Sequence, residues 1–148
     1  MKSNASVDIA RDPETVFKFA IEHVPEWSSV VVSDELVNDV NNNSPGTTFK
    51  VVTEDKGKRM EFDGEVLVND PPSKHRSIMK GEYFDMDVTY LFEGVNGKTR
   101  VSQEADVQPK GFLKVVFFLI GWMMKNGGCR AAQNELENLK RILEEKEA

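Results

Sequence analysis

The chain has 148 residues, enough for one domain with a real core, and its 39% apolar and 30% charged residues are the balance of a globular protein. Its formal charge is −6, from 19 Lys and Arg against 25 Asp and Glu, with no basic cluster, so nucleic acid is not an expected partner. Cys129 stands alone, which excludes an intrachain disulfide and suits a reducing, cytoplasmic compartment; Met1-Lys2-Ser3-Asn4 has no apolar signal core behind it.

The first 27 residues predict a strand, a capped helix and a loop. Ser6 to Ala10 alternates as a strand does. Asp12-Pro13-Glu14 starts a helix: Asp12 accepts from free amide groups, Pro13 fits the first turn, and Glu14 favours the positive helix end. Val16, Phe17, Ala20, Ile21 and Val24 then recur at helical spacing. Pro25 closes the segment, with room for a second short helix. Trp27 either plugs the loop end of a cavity or anchors the first helix.

A series of strands follows. Ser29 to Asp39 reads as one, the Asn41 to Gly46 stretch as a turn, and Thr47 to Glu54 as another strand before the turn at Asp55 to Lys58. Met60, Phe62, Val66 and Val68 are expected on one face, with Glu61, Asp63 and Glu65 on the other. Asp70-Pro71-Pro72 ends that strand. Lys74 to Lys80 is a weaker candidate. Phe84, Met86, Val88, Tyr90 and Phe92 alternate with polar neighbours, and Gly94-Val95-Asn96-Gly97 marks a hairpin. Val101, Gln103, Ala105 and Val107 form one face of the last strand. The charged alternates predict a sheet with one wet face and one covered face.

The last third supplies the cover. Ala132, Leu136, Leu139 and Leu143 form one stripe of a helix, while Glu135, Glu137, Lys140, Arg141 and Glu144 are assigned to its solvated side. Before it, 11 of the 13 residues from Phe112 to Met124 are apolar, Lys114 and Gly121 excepted. That run falls short of the roughly 20 residues a spanning helix needs. It is too apolar all round for an ordinary surface helix, so two neighbours are expected: the sheet, and a cavity, second subunit or membrane surface.

At this point the chain resembles the START/Bet v-like (SRPBCC) superfamily, in its polyketide cyclase/dehydrase-like branch. The residues carrying the resemblance are Val7-Asp8-Ile9, Pro13-Glu14-x-Val16-Phe17, Pro25-x-Trp27, Pro45-Gly46-Thr47-x-Phe49, Pro71-Pro72, the hairpin from Asn96 to Val101, and Asn138-Leu139-Lys140. The resemblance spans nearly the whole length, and its motifs are structural. It implies an α+β helix-grip fold over 1–148 as a single ligand-binding domain: a curved antiparallel sheet wrapped around a long C-terminal helix, with an apolar cavity between them. Many members bind lipids, hormones or aromatic polyketides there; a few are enzymes.

Catalytic groupings are absent from the reading. His23 is placed at a helix end and His75, between Lys74 and Arg76, in solvent; Cys129 reads as a buried, inert thiol. Glu61, Asp63 and Glu65 belong to the wet face. No catalytic residue, metal site or cofactor is therefore expected. The expected pocket wall is Phe49, Phe62, Met86, Tyr90, Val101, Phe112 and Val116, with Gln103 as a further ligand contact. Tyr90 and Gln103 are polar members of apolar sets, either satisfied within the core or placed to orient a ligand. The expected function is binding of a small hydrophobic molecule between sheet and C-terminal helix. The alternatives are a cyclase/dehydratase-type enzyme and a lipid carrier with membrane contact. Self-association through 112–124 ranks above membrane contact, because Lys114 and Lys125 alone offer weak attraction to anionic lipid.

Overall fold

The computed structural model describes residues 2–55, 57–110, 130 and 132–145. The apolar run 112–124, with Phe112 and Val116, lies outside the described residues, as does Cys129.

Strand β1 (Lys2–Ile9) leads into helix α1 (Pro13–Glu22) and the short helix α2 (Val24–Trp27). Asp12 caps α1 as its chemistry requires: one carboxylate oxygen accepts from the Thr15 amide at 3.0 Å and the other from the Thr15 hydroxyl at 2.7 Å. Val16, Phe17 and Ala20 are buried on one face. Trp27 is an anchor. It is 2% exposed, and its indole Nε1 donates to the Ala20 carbonyl at 3.1 Å, tying α2 under α1.

Six more strands follow: β2 (Val31–Asn38), β3 (Thr48–Asp55), β4 (Lys58–Asp70), β5 (Lys74–Gly81), β6 (Phe84–Val95) and β7 (Lys98–Pro109). They join β1 in one antiparallel sheet with the order β1-β7-β6-β5-β4-β3-β2. The β2–β3 turn holds Asn41, Asn42 and Asn43 at φ of 41°, 58° and 67°, a left-handed conformation that asparagine adopts more readily than most side chains. Its end is pinned to β4, where Gly46 N donates to Val66 O at 2.9 Å and Val66 N to Thr47 O at 2.8 Å.

Helix α3 is described over 132–145. Leu136, Leu139 and Leu143 are fully buried in one cluster with Ile9, Val16, Phe17, Trp27, Phe92 and Val101, as their stripe predicts. A second cluster of Phe49, Val51, Phe62 and Val66 is bordered by Met60, Met79, Phe84 and Met86. The assembly is the expected helix-grip arrangement, a curved seven-stranded antiparallel sheet with a C-terminal helix. No helix among the described residues is long and apolar enough to cross a membrane.

Three residues assigned to the solvated side of α3 do structural work instead. Strand β1 is an edge, with backbone groups that no further strand satisfies. Gln133 donates to Ser6 O at 2.8 Å and accepts from Ser6 N at 3.3 Å; Lys140 donates to Asp8 O at 2.8 Å; Glu144 accepts from Ala10 N at 2.9 Å. Glu135 accepts from the Ser28 hydroxyl at 2.5 Å and the Ser29 amide at 2.9 Å. Glu135, Lys140 and Glu144 therefore bind the neighbouring chain, while Glu137 and Arg141 remain exposed as expected.

Candidate functional site

A cavity of about 850 Å³ opens between α1, the β2–β3 turn and the inner face of the sheet. Phe17 and Ile21 come from α1, Leu36 from β2, Phe49 from β3, and Val66 from β4. Asp34, Asn69 and His75 are polar members of the same wall, and Pro71 and Pro72 close one end.

Backbone irregularities aim two of those polar groups. The β4–β5 register shifts between Val66 and Val68. Phe62 and Val66 are buried on the inner face, but one extra residue reverses the alternation. Asn69 then pairs with His75, while Val68 pairs with Arg76 on the outer side. The expectation that Val68 shares a face with Phe62 and Val66 is corrected: the bulge exchanges it for Asn69. A shift in β2 between Val31 and Ser33 likewise sets Asp34 opposite Val51, whose own partner is Phe62, so all three share the inner face.

The result is a polar row across the concave face. Asn69 pairs with His75, His75 with Tyr90, and Tyr90 with Gln103, one residue from each of β4, β5, β6 and β7. Gln103 Nε2 donates to the Tyr90 hydroxyl at 3.3 Å. Asn69 Oδ1, His75 Nε2 and Gln103 Oε1 are buried with no hydrogen-bond partner among the described residues. Unpaired buried polar atoms cost about 1–3 kcal/mol each, so three in one row require an explanation.

The expectation of a solvated His75 is overturned. The residue is 6% exposed, and Phe17 meets its ring edge-on at 6.5 Å. Burial pushes its pKa down to about 4, so the ring is neutral at neutral pH. Lys74 and Arg76 misled because sequence neighbours on a strand point to the opposite face. The signal that could have placed it is the period-two set His75, Ser77 and Met79. Asp34 is half-buried, and burial raises its carboxyl to about 6. Burial also raises the Tyr90 hydroxyl, reinforced by the negative charges of Glu135 and Asp34. His23 is a helix-end residue as expected: its backbone amide closes α1 on Phe19 O, and its ring stacks on Phe19 at 5.5 Å and meets Glu26 Oε2 at 2.5 Å.

The remaining sequence-selected residues are distributed. Phe49 lines the cavity. Its ring crosses β4 at Gly64, where a Cβ would lie 2.3 Å from the ring. Phe62 is 2% exposed in the second cluster and faces a separate, more polar recess, with Met86 packed against the same cluster. Tyr90 and Gln103 belong to the polar row. Val101 is fully buried in the core beside the α3 leucines.

A curved antiparallel sheet with a gripping C-terminal helix is the START/Bet v-type fold. The chain belongs to the polyketide cyclase / dehydrase and lipid transport family, whose profile matches residues 1–144. Among solved structures it resembles the protein TTHA0849 from Thermus thermophilus, with a TM-score of 0.81 and 18% identity over 100% of both chains. It also resembles a START superfamily protein from Mycobacterium smegmatis, with a TM-score of 0.72 and 17% identity over 98% of this chain and 95% of that one. The protein Ara h 8.0201 aligns with a TM-score of 0.63 and 17% identity over 96% of each chain. At such identities these likenesses speak for the fold. A comparison with curated protein sequences finds no significant match.

Proposed function

We propose that the protein binds a small, mainly apolar molecule in the cavity between α1, the β2–β3 turn and the concave sheet. One observation carries this reading. Apolar walls from Phe17, Ile21, Phe49 and Val66 enclose polar atoms of Asn69 and His75 that have no partner among the described residues. Ligand pockets have this composition, with apolar surface for affinity and a few polar groups for orientation. Native mass spectrometry of freshly purified protein tests it. A bound small molecule is expected, lost on extraction with organic solvent, and Ile21→Trp should reduce its occupancy by filling the cavity from α1. An empty protein that no apolar probe stabilises contradicts the proposal.

His75 supports a second reading, an enzyme of the cyclase or dehydratase type. A buried imidazole that is unprotonated at neutral pH, in register with Tyr90, is free to accept a proton, although burial makes it a weak base. Under that reading His75→Gln lowers turnover of a bound polyketide-like substrate by about a hundredfold while leaving its affinity nearly unchanged. Under the binding reading the same variant changes affinity alone.

A further inference from the structure

The charged groups around the cavity are strongly biased in sign. Glu14, Glu22, Asp34, Glu35 and Asp39 line it, and Lys18 is the sole cation among its described residues. An acidic rim by itself is an ordinary solvated surface on a chain of charge −6. Two further features point inward. Asp34 lies on the inner face of β2 without a hydrogen-bond or ion-pair partner among the described residues. His75 is only 6% exposed, lines the same cavity, and its Nε2 has no partner among the described residues.

We propose, resting on the apolar-ligand reading above, that the cavity selects a cationic amphiphile: an apolar body carrying a protonated amine that seats at Asp34, in the same cavity that His75 lines. An ammonium group supplies three donors and no acceptor, which complements a carboxylate and an unpartnered imidazole nitrogen. It meets the acidic mouth favourably, whereas a fatty-acid carboxylate or a phosphate head is repelled there. Phe17 and Phe49 present aromatic rings to the same space, and ring faces attract cations while tolerating apolar chains. The neutral state of His75 is compatible with a neighbouring positive charge, since a protonated ring would repel it.

Three probes of matched chain length test this by calorimetry at neutral pH: dodecylamine, dodecanol and dodecanoate, each below its micelle concentration. The amine is expected to bind at least about tenfold tighter than the carboxylate, with the alcohol between them. In Asp34→Asn the amine should fall to within about threefold of the alcohol, whose own affinity is retained. Equal binding of all three overturns the charge selectivity and leaves the apolar-cavity reading standing. Binding of none overturns both. An amine preference that survives Asp34→Asn overturns the seating at Asp34. A readout on the wild type avoids dependence on the variant's folding: dodecylamine must shift the His75 ring proton resonances, and binding that leaves them unmoved overturns the proposal.

Discussion

Asp34 and His75 face one cavity, and burial disfavours the charged form of each, so they pull stability in opposite directions as pH changes. His75 titrates near 4 in the folded chain against 6.5 when free. The unfolded chain takes up that proton first, so its contribution is lost as pH falls from about 6.5 to about 4. Asp34 moves from 3.8 up to about 6. The folded chain holds that proton longer, so its contribution is lost as pH rises from about 4 to about 6. The two slopes oppose each other over the shared window. Thermal melts between about pH 4 and pH 6.5 should therefore separate the variants. Asp34→Asn, relative to wild type, gains stability as pH rises through the window; His75→Gln gains it as pH falls. Parallel curves for all three proteins would show that neither group is held as described. Neither residue carried this role visibly in the sequence. Each is flanked by polar neighbours, and only the pairing partners across the sheet reveal which way its side chain points.

At the scale of elements, apolar periodicity was a faithful guide where the geometry stayed regular. The α1 face, the Leu136-Leu139-Leu143 stripe and the alternation of β6 and β7 all follow it. It failed at Val68, because a bulge is set by strand curvature and pairing rather than by any residue pattern in the strand itself. It also misjudged the polar side of α3, since a glutamate that caps a neighbouring strand is indistinguishable in sequence from one in water. Two measurements rank these contributions. Leu139→Ala, at a fully buried position, should cost about 2–5 kcal/mol in denaturant unfolding. Gln133→Ala removes its bonds to the β1 edge and should cost about 1 kcal/mol, being partly exposed. Gly64 poses a sharper test. Alanine there would drive a methyl into the Phe49 ring, and overpacking of this kind costs about 1–3 kcal/mol. Because Phe49 also walls the cavity, Gly64→Ala should weaken ligand retention as well as stability. An unfolding midpoint within error of wild type would mean that the ring moves aside freely.

For the whole molecule, the open question in the sequence is the apolar run 112–124. Its side chains exceed what one covered face requires, and the acidic chain is a poor match for anionic lipid. Self-association is the expected outcome: sedimentation should show a dimer at micromolar concentration, and Phe118→Glu or Trp122→Glu should shift it to monomer. A strictly monomeric wild type that binds liposomes more tightly than those variants would favour membrane contact instead. The sequence alone determined the architecture, because caps, turn residues and hydrophobic periods act locally and agree with one another along the chain. It also determined that the sheet would be wet on one face and covered on the other. Tertiary structure alone decided the chemistry of the cavity. Asn69 and His75 line it, and they join Tyr90 and Gln103, which lie behind it on later strands, in one row only through the register of four strands. Two extra residues in β2 and β4 turn Asp34 and Asn69 inward, and a side chain's direction in a bulged strand depends on its partner strand rather than on its own neighbours.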